Sequence, residues 1–127
     1  MFEPGDVVRF HSANAGKEKF HLCLGENSGN LIYLFLNINS KTGFAGDCVL
    51  EDGRIPGLPK SKTGSSVVSF SMVIRRSSEK LKLLGAVKTG KIDKELVGEL
   101  LAFANSTRAL ADIDKPLVVE ALDAMLT

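Results

Sequence analysis

This sequence has few of the residues that usually build reactive or ligand-binding sites. Its 127 residues include no tryptophan, one tyrosine, two cysteines and two histidines. Cys23, Cys48, His11 and His21 do not show the spacing of zinc ligands, so we expect no metal site. The motifs of P-loops, dinucleotide-binding turns, serine hydrolases and zinc proteases are missing as well, and we expect no cofactor.

Long apolar segments and a strong charge imbalance are also missing. No apolar run reaches the roughly eighteen residues that a membrane-spanning helix needs, so no membrane association is expected. The first ten residues do not resemble a signal peptide, which makes a cytoplasmic location the default expectation. The formal net charge is +1, so the field of the whole protein does not predict nucleic-acid binding, but a local basic patch is left open.

The length and the hydrophobic content of the chain fit one domain with a substantial core. Hydrophobic residues make up 44% of the sequence and charged residues 24%, as in ordinary globular proteins. We predict a single domain over residues 1–127. Residues 1–90 would form a small β-barrel, and residues 91–127 would form helices packed on it.

Short strands dominate the predicted barrel. Five segments show strand composition or spacing: residues 6–10, 20–24, 31–38, 46–51 and 66–75. In the second segment Phe20, Leu22 and Leu24 alternate with His21 and Cys23, which predicts an apolar face and a second, mixed face. Because strands this short and densely connected leave exposed edges, we expect the sheet to close into a small barrel.

The other β segments carry three further predictions. In the fifth strand, alternation places Val68, Phe70, Met72 and Ile74 on one face, opposite Val73. A sixth strand is predicted over residues 80–87, and residues 29–30 (Gly-Asn) suit a hairpin turn before the third strand. Residues 51–66 combine glycine, proline and basic residues, which predicts a mobile loop.

The character of the chain changes after residue 91. Asp93 is a plausible N-cap for an amphipathic helix that presents Leu96 and Leu100 on one stripe. Asp114 can cap a second helix with an apolar face that includes Val118 and Leu122. Strands followed by helices predict the α+β class.

His21 and Cys23 allow two interpretations. They lie two residues apart on a strand and share a face, so they could form a nucleophile pair. A reactive pair needs mutual hydrogen-bond reach and a third orienting group, whereas neighbours on a strand run side by side. The alternative, which the pattern favours, is a structural role in a partly buried face. His11 could be a general base or a solvated loop residue.

The basic residues are more informative as a group than singly. Several lie in predicted loops or at strand ends, and loops at one end of a small barrel can converge on a phosphate-binding surface. The candidates for RNA binding are Lys17, Lys41, Lys60, Lys62 and Arg76. Against this, aromatic residues for base stacking are scarce, and a normally charged surface is the simpler explanation.

The order of these elements resembles that of the PemK/MazF-type growth-inhibitor toxins. "EPGDVVRF" is similar to the opening of that family, where a Gly-Asp turn leads into the first strand. "LIYLFLNINSK" resembles its third strand, and "GSSVVSFSMVIRR" resembles a strand ending in arginine. "LGAVKTGKIDKELVGELLAFANSTRAL" is similar to the strand and helix that follow, so the resemblance covers roughly residues 4–110.

The resemblance implies an SH3-like barrel in a homodimer, neutralised by an antitoxin protein. It also implies metal-independent cleavage of single-stranded RNA, in which a base takes the 2′-hydroxyl proton and cations stabilise the phosphorane. Lys19 stands at the position of a family arginine, Ser40 at a family hydroxyl, and Arg75 or Arg76 at the strand-ending arginine.

The strand around residues 69–72 lacks the acid that many members carry, so His11 or His21 would have to move the proton. The sequence therefore predicts either an endoribonuclease with the catalytic candidates His11, Lys19, His21, Ser40 and Arg75, or a barrel that binds RNA or protein without turnover.

Overall fold

The described part of the chain contains six strands and three helices. The computed structural model describes residues 1–12, 15–27 and 31–127, so the hairpin turn predicted at residues 29–30 lies outside the described residues. The strands are β1 (Asp6–Ser12), β2 (Lys17–Asn27), β3 (Ile32–Asn39), β4 (Asp47–Glu51), β5 (Ser65–Ser77) and β6 (Val87–Lys91). The helices are α1 (Ser78–Leu83), α2 (Lys94–Ser106) and α3 (Lys115–Ala124).

All six strands belong to one antiparallel sheet in the order β4-β5-β3-β2-β1-β6. The predicted α+β class is confirmed. The sheet is open: within the described part of the chain, the edge strands β4 and β6 do not pair with each other, whereas a closed barrel would require that pairing.

A core covers each face of the sheet. The helix-side core contains Leu22 and Leu24 of β2 together with Leu96, Leu100 and Leu122 of the C-terminal helices. The second core, here called the outer core, is built around Val8, Phe10, Cys23, Tyr33, Phe35 and Leu81. The predicted alternation in β2 is therefore confirmed, since successive side chains enter opposite cores.

The predicted alternation in β5 is wrong in its second half. Residue Met72 is 51% exposed, whereas Val73 is buried in the helix-side core with Phe70. The cause is a bulge, because Asn37 of β3 lies opposite residues 69–72 of β5 between the paired positions 36↔73 and 38↔68. An odd number of extra residues on one strand of a pair, here three, reverses the faces that follow them.

The strand predicted over residues 80–87 is also wrong. Residues 78–83 form α1, and the last strand begins only at Val87. The Ser77 hydroxyl caps this short helix by accepting from the Lys80 backbone N–H at 3.1 Å. Leu81 is the buried residue of α1 and closes the outer core, so tertiary packing selects a helical turn where alternation favours a strand.

The two C-terminal helices pack on the helix-side core. As predicted, Asp93 caps α2: its carboxylate accepts from the Leu96 N–H at 2.8 Å. The other predicted cap differs, since Asp114 precedes α3 without a side-chain capping bond. Val118 and Leu122 of α3 are fully buried in this core. None of the helices in residues 1–12, 15–27 and 31–127 is long and apolar enough to cross a membrane.

The loop after β4 connects the two edges of the sheet. It contains no strand or helix, as predicted, but Ile55 is buried in the helix-side core. Next to it, the backbones of residues 56–57 and 89–90 lie so close that a Cβ on Gly57 or Gly90 would overlap the other segment. Arg54 forms an ion pair with Glu99 of α2. The loop therefore connects the open sheet edges through packing instead of strand pairing.

Candidate nucleic-acid interface

A basic cavity lies where the loop after β3 meets the second half of the loop after β4. Its volume is about 740 Å³. We call it the lysine groove, and it is lined by Lys17, Glu18, Lys19, Phe20, Ile38, Asn39, Ser40, Lys41, Phe44, Leu58, Pro59, Lys60, Ser61, Lys62 and Ser66. Four of the five predicted RNA-binding residues, as well as the catalytic candidates Lys19 and Ser40, meet in this one groove.

Short-range hydrogen bonds shape the loop that carries two of the lysines. The Asp52 carboxylate accepts from the Ser61 N–H at 3.2 Å, which folds the loop back on itself. The Thr63 hydroxyl then donates to the Ser40 carbonyl oxygen at 2.9 Å and joins this loop to the segment after β3. These bonds hold Lys60 and Lys62 next to Lys41, although some twenty residues separate them along the chain.

The lysines of the groove form no ion pair with a carboxylate of the described residues. Of the ion pairs found in the described ranges, none involves the groove residues Lys17, Lys19, Lys41, Lys60 or Lys62. The one carboxylate in the lining, Glu18, pairs with Arg9 at 3.3 Å. Five lysines that lack a carboxylate partner in the part of the chain that the structure describes form a concentrated cationic surface, although the net charge of the chain is only +1.

Lys19 lies deepest of the five lysines. Its ammonium group donates to the Asn39 side-chain oxygen at 2.6 Å. Partial burial lowers the pKa of Lys19, and the neighbouring charge of Lys17 lowers it further. A bound anion would oppose both effects, since a nearby opposite charge favours the protonated ammonium.

A second cavity adjoins the groove and shares Lys19 with it. This His21 pocket has a volume of about 490 Å³. Its lining consists of Phe10, Ser12, Ala15, Lys19, His21, Asn37, Met72, Val73, Ile74, Arg75 and Arg76. It brings together three catalytic candidates and the predicted RNA-binding residue Arg76.

His21 is held rigidly in this pocket. Its ring stacks on Phe10, with the ring centroids 3.7 Å apart and the planes 7° from parallel. Nδ1 lies 3.3 Å from the Val8 carbonyl oxygen. Since that oxygen only accepts, the bond assigns the ring hydrogen to Nδ1 and leaves Nε2 as an acceptor.

Burial keeps His21 neutral. The side chain is 1% exposed, and desolvation lowers its pKa to about 4. The charges of Lys19 and Arg76 add to the lowering of the pKa, while hydrogen bonds to the Val8 and Lys19 backbone oppose it. A neutral imidazole can accept a proton. Because the ring is almost completely buried, the group that donates the proton would have to enter the pocket to reach it.

Cys23 does not form a reactive pair with His21. The thiol is completely buried in the outer core, and desolvation raises its pKa to about 12. A thiol that stays protonated is a poor nucleophile. The environment of Cys23 is that of a structural residue.

The two arginines at the end of β5 have different surroundings. Arg75 forms an ion pair with Asp114, at 2.7 Å, which ties β5 to the start of α3. Arg76 donates to the Arg75 carbonyl oxygen at 2.7 Å and lies close enough to His21 to affect its pKa. Of the two, Arg76 is therefore the one that has no carboxylate partner in the part of the chain that the structure describes.

The catalytic candidates are not all brought to one place. His11 belongs to β1 instead of the predicted loop, is exposed, and lines neither cavity. Ser40 lies in the lysine groove, whereas His21 and Arg75 line the adjoining pocket. Lys19 is the only candidate that contacts both cavities among the residues described.

Sequence reasoning missed two features of the groove. Asn39 orients Lys19, which no sequence pattern signals because the two residues belong to different strands. Phe44 lies in the groove lining and is 69% exposed. The sequence signal for Phe44 was an apolar aromatic residue in a polar loop, close to Lys41 and flanked by turn residues. An exposed aromatic residue at such a position often belongs to a binding site.

The described residues contain no group of three or more histidine, cysteine or carboxylate side chains arranged to hold a metal ion. No protein-family model matches the sequence, and no curated protein matches it either. The relation to the PemK/MazF-type toxins thus stays a prediction that rests on the sequence segments quoted above.

Proposed function

We propose that this protein binds single-stranded RNA in the lysine groove. The observation that carries the proposal is the convergence on one cavity of five lysines that have no carboxylate partner among the described residues. Such a cluster attracts the phosphate backbone of a nucleic acid, and binding gains free energy from the counterions that the phosphates release. A single strand is flexible enough to follow a groove formed by loops.

The number of lysines sets the expected dependence on salt. For single strands, each phosphate contact adds about −0.7 to the slope of log K against log salt. If all five lysines bind phosphates, the slope is about −3.5, and the affinity falls about 100-fold between 50 and 200 mM salt. We expect this dependence in fluorescence anisotropy titrations with a labelled RNA of mixed sequence.

Two double variants distinguish the effect of the groove lysines on RNA binding from the effect of the net charge. In the Lys60→Gln/Lys62→Gln variant, the slope of log K against log salt should become less negative by about 1.4. The Lys80→Gln/Lys82→Gln variant removes the same charge from α1, where both side chains are exposed and line neither cavity. An equal loss of affinity in both variants, or no RNA binding by the natural protein at 50 mM salt, would refute the proposal.

A second candidate function is metal-independent cleavage of the bound RNA, which the resemblance implies. The observation that favours it is the His21 pocket, where neutral His21, Lys19 and Arg76 line one cavity next to the groove. Neutral His21 could take the proton of a 2′-hydroxyl, and the two cations could stabilise the charge that develops on the phosphorus.

Cleavage is tested by incubating the protein with RNA in the presence of a chelator. If His21 is the base, His21→Gln should lower the rate by two to four orders of magnitude, the typical contribution of a general base. His11→Gln is the matched variant and should leave the rate unchanged. RNA that stays intact at high protein concentration would leave a binding module without turnover, the alternative that the sequence also predicts.

The proposed biological setting is that of a cytoplasmic toxin related to the PemK/MazF type, with an SH3-like barrel, a homodimeric state and an antitoxin partner. Its support is the sequence resemblance, together with an α+β fold in which the loop at residues 56–57 packs against the opposite edge strand. Expression in bacteria should arrest growth, and sedimentation should give twice the chain mass of 13.6 kDa. Normal growth during strong expression would contradict the toxin proposal.

A further inference from the structure

Phe44 has a different environment from the other phenylalanines. The chain has seven phenylalanines, and six of them are buried or partly buried. Phe44 is 69% exposed and lies in the lining of the lysine groove. An aromatic ring that faces water in a cationic groove loses the stabilisation that burial gives the others.

The turn that carries Phe44 is well anchored. The Asp47 carboxylate accepts from the Phe44 N–H at 3.0 Å, and the Asp47 N–H donates to the Phe44 carbonyl oxygen at 3.1 Å. On the other side of the turn, the Gly46 carbonyl oxygen accepts from the Phe70 N–H at 2.7 Å. A Cβ at Gly46 would lie 2.7 Å from the Ser71 nitrogen, so only glycine permits this close approach. The turn thus fixes the backbone position of the exposed ring before any ligand binds.

We propose that Phe44 forms a nucleobase subsite in the lysine groove, where its ring stacks on one unpaired base of the bound strand. The proposal deepens and rests on the proposed RNA binding. Lysines contact phosphates, but they offer no flat apolar surface to a base; Phe44 offers that surface beside Lys41. Base–aromatic stacking together with backbone cations is the usual basis of single-strand binding.

The subsite limits the class of ligand. A base in a duplex is stacked on both sides, so its face is not accessible to a protein ring. The ligand must therefore carry at least one unstacked base, which a single strand or a loop provides and a regular double helix does not. Because every base has a stacking face, the subsite implies little preference for sequence.

Three substitutions at position 44 test the stacking contact. Phe44→Ala should weaken binding of single-stranded RNA by roughly 5- to 150-fold, the typical effect of one lost stack. Phe44→Leu keeps much of the apolar area without the aromatic face and should weaken binding nearly as much. Leu83→Ala removes a similarly exposed apolar side chain on α1 that does not line the groove, and it should leave binding unchanged.

Phe44→Trp supplies a direct readout. The natural chain has no tryptophan, so the variant carries a single indole. The fluorescence emission of this indole should fall as RNA is added, and the midpoint of the fall should equal the midpoint of the anisotropy titration. An oligonucleotide of the same length without bases, or a duplex of the same sequence, should bind through the lysines without lowering the emission.

The outcomes separate this inference from the proposed function. Binding that depends on the lysines but is unaffected by Phe44→Ala would overturn the subsite and leave RNA binding intact. Full rescue by Phe44→Leu would also overturn it, because the contact would then be a simple apolar one. Failure of the natural protein to bind RNA at 50 mM salt would refute the proposed function itself, and the subsite with it.

Discussion

The buried histidine predicts a specific pH dependence of stability. His21 is 1% exposed and stacked on Phe10, and desolvation lowers its pKa from the ordinary value of 6.5 to about 4. Between these two values the unfolded chain binds a proton that the folded chain does not. The free energy of unfolding is therefore highest above pH 6.5 and falls as the pH is lowered towards 4.

The size of the effect follows from the two pKa values. At about 1.4 kcal/mol for each pH unit, the full contribution is about 3.5 kcal/mol. The loss should reach about 1.4 kcal/mol at pH 5.5 and about 2.5 kcal/mol at pH 4.5, and it should level off below pH 4. A loss of that size is a large share of the stability of an ordinary small domain.

Urea denaturation followed by circular dichroism at several pH values measures this contribution. Carboxylates titrate in the same interval, so the informative quantity is the difference in unfolding free energy between the natural protein and His21→Gln. That difference should shift by about 2.5 kcal/mol between pH 7.5 and pH 4.5. His11→Gln, which removes an exposed histidine, is the control and should keep the pH dependence. A difference that stays constant over this interval would refute the assignment of a neutral, desolvated His21.

Three further predictions concern the framework around the groove. Gly57→Ala should destabilise the protein by about 2 kcal/mol or more, because its Cβ would overlap the Thr89 carbonyl group. Gly53→Ala, also at positive φ but with open space around it, isolates the backbone strain and should cost only about 1 kcal/mol; equal losses would contradict the clash. Leu122→Ala should cost about 2–5 kcal/mol in thermal or urea unfolding, since the side chain is fully buried in the helix-side core, and a loss below about 1 kcal/mol would show that α3 does not pack there. Asp93→Ala should cost about 1 kcal/mol through the lost N-cap, and Asp93→Asn, which keeps an acceptor, should restore most of it; no loss in either variant would show that the cap is not formed.

The bulge in β5 shows where sequence patterns fail. Alternation in β2 predicted both faces correctly because the pairing of β2 with β3 is regular from Phe20 to Cys23. In β5 the same reasoning misplaced Met72 and Val73, since the residues opposite Asn37 are four instead of one. A bulge is set by the pairing of two strands, and neither strand alone encodes it.

The lysine groove shows that sequence patterns have the same limit when they are used to predict function. The sequence identified Lys41, Lys60 and Lys62 as candidates, but could not say that they meet. Their meeting depends on the bond from Thr63 to Ser40 and on the packing of residues 56–57 against β6. For the same reason the sequence could not decide which of the two histidines would move a proton. The fold places them in opposite environments, since His11 is exposed and His21 is buried.

The sequence by itself determined the α+β class, the faces of β2, the start of α2 and the set of basic residues. These properties depend on local spacing and on capping groups, which neighbouring residues supply. Only the tertiary structure decided the open sheet, the helix α1, the bulge and the two adjoining cavities. Each of those depends on contacts between segments far apart in the chain, because loop convergence and burial are properties of the folded whole and not of any single segment.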